Sequence, residues 1–208
     1  MNRLILITND DGIEASGLKR LALVASRFGE VWVIAPHDQR SAASHSLTIR
    51  ESFEVHPYDL GIEGVKAFTC TGKPADCVRV GKLAIMPKCP DVVMSGINFG
   101  FNVAGDIQYS ATLGAAFEAE YQGIPAIAFS ESFSDDTSVT DRYLEEIMAE
   151  LIDKPCEPGY VWNVNFPGCP LSECRGILRD RKVSRPIQYW SEHRQQHLIY
   201  SPDSEQSR

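Results

Sequence analysis

The sequence predicts an α/β fold, in which a mostly parallel sheet is flanked by helices. Short unbroken apolar runs, such as residues 4–7 and 31–35, are typical of strands that are buried on both faces of a sheet. Between them, apolar residues at 18–28 recur at helical spacing, and Gly29 ends the pattern. A strand, a helix and a strand within about thirty residues form a βαβ unit, so we expect parallel strands and a right-handed crossover.

The later segments continue this alternation of strands and helices. Short alternating segments within residues 47–68 indicate a β-hairpin, and residues 71–77 form a turn that leads into a helix. The expected core contacts of that helix are Val78, Leu83 and Ile85. The remaining predicted elements, in chain order, are a strand at 90–98, a helix at 113–121, a strand at 125–130, a helix at 143–152 that ends before Pro155, and a strand at 160–167.

Length and composition are ordinary for a globular chain. With 208 residues, 43% of them apolar and 23% charged, we expect a single domain over residues 1–208. The segment after about residue 168 is polar, with one or two edge strands expected at 177–200 and disorder at 201–208. The net charge of −8 argues against a nucleic-acid polymer or an anionic membrane as partner, because binding to phosphate backbones depends on clusters of Lys and Arg. A small phosphorylated substrate remains compatible with this charge.

We expect a cytoplasmic protein that does not enter a membrane. The N-terminal apolar run is too short for a signal peptide and is interrupted by Asn9, Asp10 and Asp11. No stretch approaches the roughly 20 apolar residues of a membrane span. The six cysteines include no Cys-x-x-Cys pair, so we interpret them as reduced thiols rather than as a disulfide framework or a zinc site.

Two adjacent carboxylates, Asp10 and Asp11, follow the first predicted strand directly. In an open α/β sheet, ligands bind outside the carboxyl ends of the strands. Two acids at that position repel each other unless a cation or a shared proton relieves the repulsion, and a hard divalent metal such as Mg²⁺ takes oxygen ligands. The alternative is a turn with a helix N-cap, since Asp-Gly is a common turn pair.

A serine-rich loop at residues 36–46 leaves the second predicted strand and should lie beside the two acids. Its hydroxyl residues are Ser41, Ser44 and Ser46. These hydroxyls are suited to binding a metal or a phosphate, and the alternative is a flexible loop without a ligand. His37 and His45 flank the serines, either as proton-transfer groups or as solvent-facing histidines.

A long loop at residues 99–112 follows the strand that ends at Asn98. Long loops in compact domains are usually functional or disordered. Ser110 and Thr112 lie at the start of the next helix, where hydroxyls and free helix N–H groups can hold an anion. The aromatic residues of the loop are Phe99, Phe101 and Tyr109, which either stack on a base or pack the loop against the protein.

Three strand ends thus supply oxygen ligands. They carry Asp10 with Asp11, Ser41 and Asn98. Because the carboxyl ends of parallel strands lie at one edge of a sheet, these side chains are predicted to converge on one hard cation with open positions for water and substrate.

The motifs that hold these residues resemble those of the SurE family of survival proteins, which are metal-dependent nucleotide phosphatases. They occur in family order over roughly residues 3–167. They are Thr8-Asn9-Asp10-Asp11-Gly12-Ile13, Ala35-Pro36 followed by Gln39 and the Ser41/Ser44/Ser46 series, Thr71-Gly72-x-Pro74-Ala75-Asp76-Cys77, Ser95-Gly96-Ile97-Asn98-x-Gly100-x-Asn102, and Tyr109-Ser110-x-Thr112.

The resemblance implies a metal-dependent phosphomonoesterase that hydrolyses nucleoside 5′- and 3′-monophosphates. It implies one Mg²⁺ or Mn²⁺ per subunit, a Rossmann-like sheet with an extended β-hairpin arm, and a homodimer or homotetramer. The metal ligands it implies are Asp10, Asp11, Ser41 and Asn98, and the two acids are also the catalytic residues. The predicted substrate contacts are Asn9, Ser41, Asn98, Ser110 and Thr112.

The chain departs from the family pattern in two respects. The family commonly has glycine at the positions of Ala104 and Ala111, and alanine tolerates positive backbone dihedrals poorly. Relatives usually continue past this length with a C-terminal tail that packs on a neighbouring subunit. We therefore expect a truncated form or a short variant, whose oligomeric state is open.

Two other functions are considered beside the phosphatase. The first is a non-catalytic, metal-dependent nucleotide-binding or sensing protein, which the two alanines and the short C-terminus keep open. The second is the acidic pocket of a receiver domain, which also has paired acids after its first strand. A receiver domain lacks a loop such as 95–112, so this loop argues against it.

Overall fold

The structure is a computed structural model that describes residues 3–154, 156–179 and 181. Its centre is a seven-stranded sheet with the order β3-β4-β2-β1-β5-β6-β7. The strands are β1 (Leu4–Thr8), β2 (Glu30–Pro36), β3 (Val55–Tyr58), β4 (Lys66–Cys70), β5 (Val92–Phe99), β6 (Ala126–Glu131) and β7 (Trp162–Phe166). All neighbours are parallel except β3, which is antiparallel to β4. The predicted Rossmann-like α/β class is confirmed.

Among the described residues, four α-helices cover the two faces of the sheet. They are α1 (Ser16–Ala25), α2 (Pro74–Val80), α3 (Ala111–Tyr121) and α4 (Ser138–Leu151). Successive side chains of a strand point to opposite faces, so Ile5 and Ile7 pack in the cluster that includes α1 and α4. Leu4 and Leu6 pack in a second cluster that includes α2 and α3. Burial on both faces is the reason that these strands consist of unbroken apolar runs.

Two local predictions differ from the structure. Helix α1 ends at Ala25, and Phe28 follows in a turn in which its N–H donates to the Ala25 carbonyl. Leu83 was predicted to contact the core, but it is 70% exposed. The reason is that α2 passes into a π-helical turn, Gly81–Ile85, whose wider spacing changes the face on which Leu83 lies.

The β-hairpin predicted within residues 47–68 corresponds to β3 and β4, and it joins the sheet through β4 and β2. Residues 177–179 and 181 form no strand, whereas the rest of 177–200 and the predicted disorder at 201–208 lie outside the described residues. The prediction of a single domain stays a prediction. In the described ranges, no helix has the length and apolar character needed to cross a membrane.

Strand β1 lies between β2 and β5, so the chain leaves β1 toward one side of the sheet and returns through β5 on the other. The carboxyl ends of these parallel strands point to the same edge. A crevice opens at such a switch point, because the connections on its two sides diverge. The residues that follow β1 and end β5 therefore lie where an α/β protein binds its ligands.

Candidate functional site

Asp10 is a buried acid at this edge, with only 3% of its surface exposed. Its Oδ1 accepts a hydrogen bond of 2.6 Å from the hydroxyl of Thr112, which is itself fully buried in α3. The pKa of Asp10 is raised to about 6, because the effect of burial, together with a smaller one from the charge of Asp11, exceeds the lowering by the Thr112 hydrogen bond. The structure thus holds a carboxylate in one orientation at a cost in solvation.

Asp11 is half-buried and is hydrogen-bonded to the neighbouring strand β5. The backbone N–H of Phe99 donates to its Oδ2 at 3.0 Å, and the Gln39 amide lies 3.5 Å from its Oδ1. Burial raises the pKa of Asp11, with a smaller contribution from the charge of Glu131, and these two hydrogen bonds lower it. Glu131 itself forms a 2.7 Å ion pair with Arg20.

A hard cation fits this donor set. In the part of the chain that the structure describes, neither Asp10 nor Asp11 forms an ion pair with a basic side chain. Asn98 donates its Nδ2 to the Gly100 carbonyl at 2.7 Å, which leaves its Oδ1 as an oxygen ligand at the end of β5. Within the described residues no group of three or more His, Cys, Asp or Glu side chains is arranged to hold a metal, so the site depends on two acids and on neutral oxygens.

The loop that carries Ser41 is fixed beside the acids. Arg40 donates its backbone N–H to the Asp10 carbonyl at 2.6 Å, and the exposed Ser41 follows directly. Further along, Ser44 donates its N–H to the Tyr109 carbonyl at 3.0 Å and its hydroxyl to the Gln108 carbonyl at 2.7 Å. The serine-rich loop is therefore bonded both to the turn after β1 and to the segment before α3.

Helix α3 packs directly against the backbone of this loop. A Cβ at Gly114 would lie 2.3 Å from the Ser44 carbonyl oxygen, so only glycine permits the contact. His45 bonds to the buried Glu118 of α3 at 2.7 Å, while His37 is exposed and bonds to Asp38. The proton-transfer role considered for either histidine stays a prediction.

The other predicted substrate contacts lie at the borders of the acidic site. Asn9 is fully buried, and its Nδ2 donates to the Gly12 carbonyl at 2.9 Å, which closes the turn after β1. Among the described residues its Oδ1 accepts no hydrogen bond. Ser110 is the N-cap of α3, where its Oγ accepts from the Leu113 N–H at 3.1 Å. The structure brings these residues to one edge, and their roles toward a substrate stay predictions.

Asn102 belongs to one of the family motifs, but the sequence analysis did not select it as a site residue. Its Nδ2 donates to the Ser130 hydroxyl at 2.9 Å and to the Thr112 hydroxyl at 3.3 Å, directly behind the bond from Thr112 to Asp10. Its backbone N–H donates to Asn165 Oδ1 at 2.9 Å, and its carbonyl accepts from Asn163 Nδ2 at 2.8 Å. Two amides spaced i and i+2 on one strand face were the only sequence signal for this network.

The two alanines that depart from the family pattern behave differently. Ala104 has a φ of +52°, in the left-handed region that glycine adopts without strain. Ala111 is the first residue of α3 and is fully buried in helical conformation. The expected conflict between alanine and the backbone is therefore confined to residue 104.

The burial of Asp10 predicts a pH-dependent stability. At pH values between its ordinary pKa of 3.8 and the native value of about 6, the unfolded chain has lost a proton that the native protein retains, so rising pH favours unfolding. Above pH 6 the cost is constant at about 3 kcal/mol. We expect Asp10→Asn to raise the free energy of unfolding in chelator by about 2 kcal/mol more at pH 8 than at pH 4.5.

Urea denaturation at the two pH values measures this difference. Asp38→Asn is the matched control, because it removes a carboxylate that is 70% exposed from the adjoining loop. An Asp10→Asn effect of equal size at both pH values would contradict the prediction.

The comparisons with known proteins agree with this geometry. The family described as "Survival protein SurE" matches residues 5–189. The chain is similar to the 5′-nucleotidase SurE of Clostridium botulinum (strain 657 / Type Ba4), with 39% identity over 181 residues that cover 83% of this chain and 70% of the relative. It is also similar to the 5′/3′-nucleotidase SurE of Cronobacter sakazakii (strain ATCC BAA-894), with 41% identity over 87% of this chain and 70% of the relative.

A solved structure supports the same relation. The crystal structure of the SurE protein from Aquifex aeolicus superposes with a TM-score of 0.73 at 32% sequence identity, and the match covers 84% of this chain and 70% of that one. The paired acids after β1, the asparagine near the end of β5 and the matched range of residues thus point to one conclusion: the chain belongs to the SurE family.

Proposed function

We propose that this protein is a metal-dependent phosphomonoesterase that hydrolyses nucleoside 5′- and 3′-monophosphates to nucleoside and phosphate. The observation that carries the proposal is the adjacent pair of carboxylates at the switch point, the buried Asp10 and the half-buried Asp11, which no basic side chain of the described residues neutralises. Relatives named 5′-nucleotidase and 5′/3′-nucleotidase support the reaction class.

The proposed cation is one Mg²⁺ or Mn²⁺ per subunit, held by Asp10, Asp11, Ser41 and Asn98. When bound, it would polarise the phosphoryl oxygens and lower the pKa of a coordinated water. The chemistry of the donor set supports this assignment, because carboxylate, hydroxyl and amide oxygens suit hard cations.

The residues around the two acids orient the carboxylates before the substrate binds. Thr112 donates to Oδ1 of Asp10 and the Phe99 N–H donates to Oδ2 of Asp11, so each carboxylate is oriented by a hydrogen bond from the protein. Such preorganisation avoids reorientation during the reaction. Because Thr112 is fully buried, we propose that it acts mainly through Asp10.

The N-terminus of α3 is proposed to contact the phosphate. The Oγ of Ser110 accepts the Leu113 N–H, so its hydroxyl hydrogen remains available to donate to a phosphate oxygen. The helix of 11 residues places the positive end of its dipole at Ser110 and Ala111. The Ser110 hydroxyl and the helix N-terminus would complement the negative charge of the phosphate.

The proposal extends to assembly and compartment. The family resemblance supports a homodimer or homotetramer in the cytoplasm. Sedimentation measurements on the full chain test the assembly.

Phosphate release from a panel of nucleoside 5′- and 3′-monophosphates tests the function. We expect release with Mg²⁺ or Mn²⁺ and its loss in chelator, because the acids alone cannot stabilise added negative charge. The control is restoration of release when the metal is returned in excess. Folded protein that binds both metal and nucleotide but releases no phosphate would instead support a non-catalytic nucleotide-binding protein.

A further inference from the structure

Two phenylalanine rings at the carboxyl edge of the sheet are unusually exposed. Phe133, in the loop after β6, has 76% of its surface exposed, and Phe99, at the end of β5, has 48%. The two rings contact each other with centroids 5.0 Å apart and planes at 88°. Neighbouring exposed aromatic side chains rimmed by polar groups mark sites of interaction.

The position of Phe133 is fixed by the backbone beneath it. Gly100 has a φ of +128°, and a Cβ there would lie 2.8 Å from the Phe133 ring. A side chain at residue 100 would be strained at this φ and would displace the ring, so glycine suits the observed packing. Phe133 is thus packed against Phe99 and Gly100 while most of its surface faces solvent.

Backbone hydrogen bonds also fix the segments that carry the two rings. The Gly100 N–H donates to the Glu131 carbonyl at 2.8 Å, which places the ends of β5 and β6 side by side. The Ser132 N–H donates to the Phe166 carbonyl at 3.0 Å, and the Ser134 N–H donates to the Ser132 carbonyl at 2.8 Å. Backbone hydrogen bonds among the ends of β5, β6 and β7 therefore fix the segments that carry the two rings.

The ring pair adjoins the acidic site directly. The residue that contributes one ring, Phe99, also donates its backbone N–H to Asp11 at 3.0 Å. Glu131, whose charge reaches Asp11, lies two residues before Phe133. A substrate with its phosphate at Asp10 and Asp11 would therefore have the ring pair beside it on the same edge of the sheet.

We propose that Phe99 and Phe133 form a stacking platform for the nucleobase of the substrate. This inference rests on the proposed function, and it assigns the platform to a planar aromatic group joined through a sugar to the phosphate. Stacking increases with ring area, so a purine monophosphate is preferred over a pyrimidine monophosphate, and both over a sugar phosphate without a base.

The size of the patch favours a base over a second copy of the chain. The exposed parts of the two rings amount to roughly 250 Å², taking about 200 Å² for a whole aromatic side chain. A stable protein interface needs about 800 Å² from each partner. A base covers an area comparable to the two rings, whereas a subunit requires much more surface than they supply.

The test compares Phe133→Ala with the wild-type full chain, using a purine nucleoside 5′-monophosphate and ribose 5-phosphate with Mg²⁺. For the nucleotide we expect the KM and the calorimetric Kd to rise about 5- to 30-fold, because a base stacked on an aromatic ring is lost. For ribose 5-phosphate the change should stay within about 2-fold, as for an ordinary surface substitution. Phe133→Tyr, which keeps the ring, should behave like the wild type.

Tyr121→Ala is the matched control, because that ring is 77% exposed at the far end of α3 and should leave both substrates unaffected. Equal weakening of nucleotide and ribose 5-phosphate in Phe133→Ala would overturn the platform. A wild type that binds the nucleotide no more tightly than ribose 5-phosphate would also overturn it. A changed sedimentation coefficient with unchanged discrimination would overturn it in favour of an interface between copies. Failure of the proposed function can be distinguished from failure of the platform. It would appear as absent phosphate release, while the comparison of nucleotide and ribose 5-phosphate binding still tests the platform.

Discussion

Asp11→Asn is expected to lower kcat/KM for nucleoside monophosphates by at least ~10²-fold, since even changes behind a metal ligand cost about 10–100-fold. The substitution keeps the size of the side chain, and the amide oxygen can still accept the Phe99 N–H. It removes the charge from the more accessible of the two acids. Phosphate release measured beside calorimetric titration with Mg²⁺ should show that catalysis and metal affinity fall together.

Asp38→Asn is the control for this loss, because it removes an exposed carboxylate from the same edge and should retain wild-type kcat/KM. Circular dichroism checks that both variants are folded. Near-full activity of Asp11→Asn with metal still bound would show that the assignment of Asp11 as a ligand is wrong.

Asn102→Ala is expected to lower kcat/KM by roughly 10–100-fold and the free energy of unfolding by about 1–3 kcal/mol. The substitution removes the amide that contacts the hydroxyls of Ser130 and Thr112. Without that donor, the Thr112 hydroxyl has a second orientation available and no longer points to Asp10 alone. Activity and urea denaturation, both measured well below the thermal transition, separate the two effects.

Gln122→Ala is the matched control, because it removes a hydrogen-bonded amide at the end of α3. Gln122 bonds to Glu118 at 3.0 Å at the far end of α3, so this variant should lose stability without losing activity. Asn102→Ala with reduced stability but unchanged kcat/KM would show that the network supports the fold and does not position Asp10.

The strands were predictable because burial on both faces demands unbroken apolar runs, which are visible in the sequence. Asp10 and Asp11 were predictable as a pair because they are adjacent and directly follow such a run. Leu83 was not predictable from helical spacing, because a π-helical turn changes the spacing without a recognisable sequence signal.

The network behind Asp10 was harder to predict for a different reason. The partners of Asn102 lie 10 to 63 residues away from it in the chain, and their hydrogen bonds form only when the strands are in their final order. Thr112 illustrates the limit. Its place at a helix start indicates an anion contact, whereas its burial and its bond to Asp10 follow from packing that no local pattern encodes.

Strand β7 pairs only with β6 in the described sheet, yet its Asn163 and Asn165 hold the main chain of Asn102. Strands at a sheet edge open locally at a lower free energy than central strands do. Each opening of β7 releases the segment that fixes Thr112, so amide hydrogen exchange in β7 and around Asn102 should follow one shared rate. The lifetime of an ordered Asp10 is then set by fluctuations of a strand that contributes no group to the acidic site.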